Sequence, residues 1–406
     1  KLLEQKNKLD FVITEIGGTV GDIEALPYIE AVRQLKWEMG KNSLFIHLTL
    51  VPFLAAAGEL KTKPTQHSVK TLLAAGIQPD ILVCRTENPI NKKIKEKIAK
   101  FCNVETNAVI QSIDANSIYK VPMLMRQEGL DKIVLRKLNI KKSKDANLDN
   151  WKKYLNKLDN PSREVKIGIV GKYIELQDAY KSISEAIIHS GAENSCKVNI
   201  SWIDAETITK KNVGKILLNL SGVLVAPGFG DRGIEGKINT IKYLREQNIP
   251  FFGICLGMQS AVIEFSRNVL GLKDANSIEM NPKTKNPVIC LMENQKTIKQ
   301  KGGTMRLGSY KCTIQSKSNA YKAYKCLEIS ERHRHRYEFN NQYKDQLEKA
   351  GLTTSGINKD NNLVEIIEIP KHKWFVGVQF HPEFKSTVDN PHPLFSSFIK
   401  ACINNN

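Results

Sequence analysis

Short runs rich in Val, Ile, Leu and Phe recur along this 406-residue chain, separated by polar stretches of helical length. That alternation constrains the fold most, because strands spaced by helices pair in parallel and lie beneath those helices. "LDFVITEIGGTVGD" reads as a strand running into a glycine-rich turn, and "SLFIHLTLVPF" and "PDILVCRT" as further strands. A second series follows: "VKIGIVGKY", "KVNISWID", "GVLVAPGFG", "IPFFGIC", "VEIIEIP" and "WFVGVQFHPEF". Between them, "DAYKSISEAIIHSG" sets Ala179, Ile183, Ala186 and Ile187 on one helical face, with Gly191 as the expected C-terminal stop. "EGKINTIKYLREQN" is a second helix. From Lys141 to Arg163 the chain turns lysine- and asparagine-rich, and Trp151, Tyr154, Leu155 and Leu158 predict a short linking helix ending near Pro161. The chain is too long for one ordinary core. The expected class is α/β, with two domains at residues 1–145 and 164–406, a linker at 146–163, and a mostly parallel, helix-covered sheet in each.

The formal net charge is +18. A basic surplus suits nucleic acid, anionic lipid or phosphorylated ligands. Here it is spread over patches such as "NKKIKEKIAK", with few of the interleaved aromatics that single-strand binding uses, so no nucleic-acid partner is expected. Eight cysteines are scattered without a C-x-x-C pair, which predicts free thiols in a reducing, cytoplasmic setting. No apolar run is long enough to span a membrane, and the start has no cleavable apolar segment.

In "FFGICLGMQ" a cysteine sits between Gly253 and Gly257 after a strand. Cysteine is often a small core hydrophobe. Yet G-x-C-x-G is also the thiol form of a nucleophile elbow. A helix starting near Leu256 would aim its free N–H groups and positive end at Cys255, favouring thiolate and able to hold an oxyanion. A thiol nucleophile needs a base, and the base an orienting partner. "QFHPEF" supplies both if His381 and Glu383 leave the same face of an extended segment. "PGFGDRG" adds a glycine loop at a strand end, where Gly228 can lend a second N–H. Each piece alone is commonplace; all three in one α/β unit are not.

These residues resemble a class I glutamine amidotransferase domain of the Cys-His-Glu type. The resemblance implies glutamine hydrolysis through a thioester, with Cys255 as nucleophile and His381 and Glu383 as partners. It also implies glutamine contacts from Gly228, Leu256, Gly257, Met258, Gln259, Glu279 in "NSIEM" and Arg336 in "RHRHRYE". The plain reading of "RHRHRYE" is a basic strand with Arg332, Arg334 and Arg336 on one face; His333 and His335 do not make a closed metal set.

The first third carries Glu15, Asp22 and Glu24 around a glycine turn, a pattern suited to Mg²⁺ held with phosphates, or to a helix N-terminus. "GELKTKPTQHSVK" brings Lys61 and Lys63 beside Thr62, Thr65 and Gln66, braced by Pro64: a polyphosphate cradle or a solvated basic loop. With "GIQPDILVCR", "VGKYIELQDAYKS", "GICLGMQ", "GGTMRLG", "RHRHRYE" and "QFHPEF", these stretches closely resemble the CTP synthase family over nearly the whole chain. The family implies a P-loop-like amidoligase domain and a ligase reaction: ATP phosphorylates the 4-oxygen of UTP, and ammonia from glutamine displaces the phosphate to give CTP. By position, the resemblance implies Mg²⁺ binding by Glu15 and UTP or CTP binding by Asp22, Ile23, Glu24, Lys61 to Gln66 and Lys97. It implies adenine contact by Ile113, Asp114 and Ala115 in "QSIDAN". It also implies GTP as activator, CTP as feedback inhibitor, and homotetramers able to stack into filaments.

Three departures from the family pattern stand out. The family's phosphate loop and another Mg²⁺-binding Asp would precede Lys1, and no G-x-x-x-x-G-K-[ST] occurs, so a truncated start and impaired ATP-phosphate binding are expected. "VAPGFG" has one glycine after the proline where the family has two. The segment before "GGTMRLG", used as a lid in the family, is short. The rival readings are a stand-alone glutaminase or γ-glutamyl hydrolase, which the first third argues against, and a non-catalytic assembly paralogue, which an intact Cys255, His381 and Glu383 argue against.

Overall fold

The computed structural model describes residues 9–141, 143–291 and 305–405. The chain divides into two compact units between Asn147 and Leu148.

In the first unit, β1 (Ile46–Leu50) is followed by a small antiparallel hairpin of β2 (Phe53–Leu54) and β3 (Glu59–Leu60). β4 (Ile81–Thr86) and β5 (Val109–Ile113) then form with β1 a parallel sheet of order β1-β4-β5. Helices Lys63–Ala74 and Lys92–Cys102 cover one side through Val69, Ile98, Ala99 and Cys102, which pack on Leu82, Cys84 and Val109. Asn91 caps the second helix by accepting from the Ile94 amide at 3.0 Å.

The expected strand at Leu9–Ile16 is not formed; that stretch has no regular structure, and Ile13 is 96% exposed. An apolar run becomes a strand only where a neighbour takes up its backbone hydrogen bonds, and β1, the edge strand of this sheet, does not pair with it.

In the second unit, β6 (Arg163–Gly171), β7 (Cys196–Asp204), β8 (Gly222–Val225) and β9 (Phe251–Ile254) precede a side sheet of β10 (Asn276–Ser277), β11 (Pro287–Leu291) and the later β14 (Tyr337–Phe339). β12 (Arg306–Ile314), β13 (Glu328–His335), β15 (Thr353–Asn358), β16 (Leu363–Glu368) and β17 (Phe375–Val378) complete a nine-stranded sheet, ordered β13-β12-β15-β16-β17-β9-β8-β6-β7. From β17 to β7 all pairings are parallel; from β13 to β17 all are antiparallel. The expectation of a mostly parallel sheet thus covers half of this one. β8, β9 and β17 are buried throughout, as strands covered on both faces must be.

One face carries helices Ile234–Glu246 and Leu256–Asn268, through Ile238, Ile241, Leu244, Val262 and Phe265. The other carries Lys181–Glu193 and Pro393–Ile403, through Ile183, Ile187, Phe395 and Phe398. Phe252 meets Phe395 edge-on at 5.2 Å between ring centroids, and Phe251 lies 4.4 Å from Phe375 across the strands.

Two local expectations change. Gly191 does not stop its helix, which runs on to Glu193. A Cβ there would stand 2.8 Å from Val198 Cγ2 and 2.9 Å from the Cys196 carbonyl, so the glycine permits close packing on β7. The linking helix forms at Asp149–Asp159 but belongs to the second unit: Tyr154 is buried and meets His189 of helix Lys181–Glu193 edge-on at 6.2 Å.

Gly257 shows the same principle at the centre of the sheet. A Cβ there would lie 2.2 Å from the Val225 carbonyl oxygen, so helix Leu256–Asn268 touches β8 through bare backbone. Gly257→Ala should force the helix off the sheet and cost about 2 kcal/mol. Chemical denaturation of the two proteins checks this; equal midpoints would refute it.

Candidate active site

β9 ends at Ile254, and Cys255 makes the turn into helix Leu256–Asn268 with φ 51° and ψ −102°, a conformation that non-glycine residues seldom hold. Two backbone bonds hold the elbow. The Cys255 amide donates to the Val378 carbonyl at 2.7 Å, and the Gln259 amide donates to the Cys255 carbonyl at 3.1 Å. The flanking glycines serve packing: Cβ atoms on Gly253 and Gly257 would strike Phe251 and the Val225 carbonyl. Cys255 is 5% exposed at the N-terminal end of its helix.

His381 and Glu383 come to the elbow because β17 runs parallel beside β9, with Val378 opposite Ile254. The residues after Val378 therefore emerge beside Cys255. His381 Nδ1 and Glu383 Oε1 are 2.7 Å apart, both residues buried. The expected extended segment is instead a single 3-10 turn, Pro382–Lys385, with His381 as its N-cap. The pair meets across that turn rather than by strand alternation, because Pro382 starts the turn immediately after His381. The ring of His381 stacks on Phe384, and its backbone amide donates to the Arg332 carbonyl at 2.8 Å. Nε2 is buried without a conventional hydrogen-bond partner among the described residues. Burial alone would lower this imidazole, but its interactions with Cys255 and Glu383 outweigh that and raise it to about 10. A protonated imidazole held beside a thiol is the setting in which a cysteine acts as a nucleophile.

The loop after β8 faces the elbow. Lys237, fully buried, donates to the Ala226 carbonyl at 2.7 Å; Lys172 donates to the Phe229 carbonyl at 2.7 Å; the Gly230 amide donates to Glu279 Oε1 at 3.0 Å. Desolvation pulls Lys237 down to about 7, reinforced by Lys172 and opposed by Cys255. Gly228 thus sits in a loop tied at Ala226, Phe229 and Gly230.

Leu256, Met258 and Gln259 are buried in the helix, while Glu279 and Arg336 are half-buried. Gln259 does not present its amide to solvent: Nε2 donates to the Tyr337 carbonyl at 2.9 Å and to Gln379 Oε1 at 3.2 Å. In "RHRHRYE", Arg332 and Arg334 are exposed and Arg336 half-buried, and the two histidines point inward. The inward face meets the other motif, Arg306 of "GGTMRLG", directly opposite His335 in the strand register. Arg306 lies 2.6 Å from Glu365, which also holds His333 Nε2 at 2.7 Å, all three buried. Glu365 carried no role in the sequence reading, since nothing in "VEIIEIP" marks a buried carboxylate. Gln379, 3.6 Å from the Cys255 sulfur, was also missed, although it opens the "QFHPEF" motif. Residues 302–304 of "GGTMRLG" and most of the expected lid before them lie outside the described residues.

In the first unit, Thr62, Thr65 and Gln66 turn inward. Thr65 donates to the Leu50 carbonyl at 2.9 Å and Gln66 to the Thr62 hydroxyl at 3.0 Å. Pro64 sits in the first helical turn. Lys63 and Lys97 are exposed, and Lys61 pairs with Glu59, whose carboxylate Lys97 also stabilises. Ile113 ends β5; Asp114 follows, donating its amide to the Thr86 carbonyl and pairing with Arg85, and Ala115 is half-buried. Glu15, Asp22, Ile23 and Glu24 are exposed, and Asp22 makes no side-chain cap.

A strand–helix elbow bearing a thiol, beside a His–Glu pair on a half-parallel sheet, defines a class I glutamine amidotransferase module, and the model of that family, glutamine amidotransferase class-I, matches residues 175–401. A second model, CTP synthase N-terminus, matches residues 1–140. The chain is 61% identical to a CTP synthase of Flavobacterium johnsoniae, covering 100% of this chain and 75% of that protein. It is 59% identical to one of Bacteroides fragilis, over 99% and 76%. The solved glutaminase domain of Trypanosoma brucei CTPS with bound acivicin superposes with TM-score 0.57 at 38% identity, covering 60% of this chain and 95% of that one. The chain belongs to the CTP synthase family. Its activity is the glutamine-dependent amination of UTP to CTP, with ATP as co-substrate.

Removing the sulfur removes an interaction that raises His381. In Cys255→Ala the imidazole should therefore titrate at lower pH than the native value of about 10, with Glu383 still in place. NMR of the His381 ring reads this; an unchanged titration would show that the sulfur does not interact with the ring.

Proposed function

We propose that Cys255, His381 and Glu383 hydrolyse glutamine and that the exposed lysines of the first unit hold the pyrimidine nucleotide. The observation that carries this reading is the His381–Glu383 pair at 2.7 Å beside the Cys255 elbow. The thiolate adds to the glutamine amide carbon, and the developing oxyanion is met by the backbone N–H groups of Gly228 and Leu256. Imidazolium gives its proton to the leaving nitrogen, which departs as ammonia and leaves a thioester. Neutral His381 then takes a proton from water, hydroxide opens the thioester, and glutamate, thiolate and imidazolium result. Glu383 holds the ring at Nδ1 throughout. Glu279 and Arg336 would receive the amino and carboxylate groups of glutamine, and Leu256 to Gln259 would shape the pocket.

Lys61, Lys63 and Lys97 would bind the UTP phosphates, with Thr62, Thr65 and Gln66 bracing the loop from within and Pro64 stiffening its exposed side. Asp22, Ile23 and Glu24 would meet bound CTP, the feedback inhibitor, and Ile113, Asp114 and Ala115 the adenine of ATP. The single exposed carboxylate of Glu15 fits the mode in which Mg²⁺ takes one carboxylate and several phosphate oxygens. Mg²⁺ bound there would offset phosphate charge. Regulation by GTP would use the groove of about 310 Å³ that Arg332, Arg334 and Phe384 line next to His381. The exposed Tyr28 and Trp37 of helix Leu26–Met39 suit a homotetramer contact, able to extend into filaments. The eight cysteines form no disulfide among the described residues, in keeping with a cytoplasmic site.

Cys255→Ala should lower ammonia release from glutamine by about a thousandfold or more while leaving amination of UTP by added ammonium unaffected. Native ammonia release in that variant would overturn the triad. Lys97→Ala should raise the KM for UTP about tenfold without changing glutamine hydrolysis; an unchanged KM would remove Lys97 from the nucleotide site.

A further inference from the structure

The sulfur of Cys255 has a second polar neighbour besides His381. Gln379 Nε2 lies 3.6 Å from it, a hydrogen-bonding distance for sulfur, and Gln379 is fully buried. An amide could in principle present either end, but here the choice is forced. Gln259 donates from Nε2 to the Tyr337 carbonyl at 2.9 Å, and a carbonyl only accepts. The same nitrogen lies 3.2 Å from Gln379 Oε1 and donates to it. The oxygen of Gln379 is thereby taken, and its N–H faces the sulfur. Its backbone is fixed as well, since the Gln379 amide donates to the Glu365 carbonyl at 2.9 Å.

A locked donor at the sulfur has two consequences. It favours anionic sulfur over the neutral thiol, because a thiol bonds weakly as an acceptor and a thiolate strongly. It also closes one direction to the thiol proton, which Gln379 cannot accept, leaving His381 Nε2 as the acceptor. The charged groups around the sulfur are His381, backed by Glu383, and Lys237 under the facing loop. Gln379 acts with them at a reacting atom.

We propose that Gln379 is a further catalytic residue of glutamine hydrolysis, its side-chain N–H stabilising the Cys255 thiolate as nucleophile and again as leaving group when the thioester opens. The proposal rests on Cys255 being the nucleophile.

The test uses the full chain and follows carboxamidomethylation of Cys255 by iodoacetamide, read by mass spectrometry of its peptide from pH 5 to pH 10, with kcat and KM for glutamine measured alongside. Gln379→Leu should shift the alkylation profile to higher pH, slow alkylation at pH 7 roughly tenfold, and lower kcat with KM within about twofold of native. Gln379→Glu, nearly identical in shape, guards against a packing artefact and should shift the profile the same way. Gln259→Leu, which frees the amide of Gln379 to turn, should give a smaller shift in that direction. A Gln379→Glu profile that superposes on the native one would overturn the proposal, as would an effect on KM alone. Full ammonia release by Cys255→Ala would instead remove the nucleophile assignment beneath it, a distinct failure.

Discussion

The site depends on one register: β17 lies parallel to β9 with Val378 opposite Ile254, and the Cys255 amide completes the ladder on the Val378 carbonyl at 2.7 Å. Two segments more than a hundred residues apart then end at the same height on one sheet edge. From one emerges the thiol, from the other the amide, the imidazole and the carboxylate. A slip of one residue would turn Gln379 and His381 to the opposite face. Hydrophobic contact enforces the register, since Phe251 and Phe375 face each other 4.4 Å apart and Phe252 is clamped by Phe395 and Phe398. The packed core thus fixes the spacing at the reactive centre.

The site's other requirement is buried charge. Lys237, Arg306, Glu338, Glu365, His333 and His335 are all nearly inaccessible. Such groups are strongly disfavoured alone and persist where partners surround them. Lys237 has the Ala226 carbonyl; Arg306, His333 and Glu365 have one another. Desolvation still shows: Glu338 is raised well above the usual carboxylate range and His335 lowered well below the usual imidazole range. The antiparallel half of the sheet, through β12, β13 and β16, brings Arg306, His333 and Glu365 together; β17 lies between β16 and the β9 that leads to the thiol, and the Gln379 backbone amide links the two by donating to the Glu365 carbonyl.

Glycine has two distinct meanings here. Gly253, Gly257 and Gly191 are small because another backbone or side chain occupies the place of a Cβ. The positive φ that a sequence reader assigns to a glycine falls at the elbow on Cys255 itself, at 51°. The strain sits on the residue whose chemistry needs exposure toward substrate, and the neighbouring glycines let helix and sheet close around it.

The sequence by itself determined the α/β alternation, the elbow, and the motifs that bring Cys255, His381 and Glu383 into consideration, because periodicity and glycine placement are local properties. It also marked Lys61 and Lys63 as neighbouring cations in the first unit. Local pattern overreached at Leu9–Ile16, where an apolar run has no strand beside it, and at Gly191, where a stop signal serves close packing. It was silent on the antiparallel half of the sheet, on the inward turn of Thr62, Thr65 and Gln66, and on Glu365 and Gln379. Those were decided by tertiary structure alone, because which buried polar atom finds which partner depends on strand order and register, and neither is written in the spacing of residues along one segment.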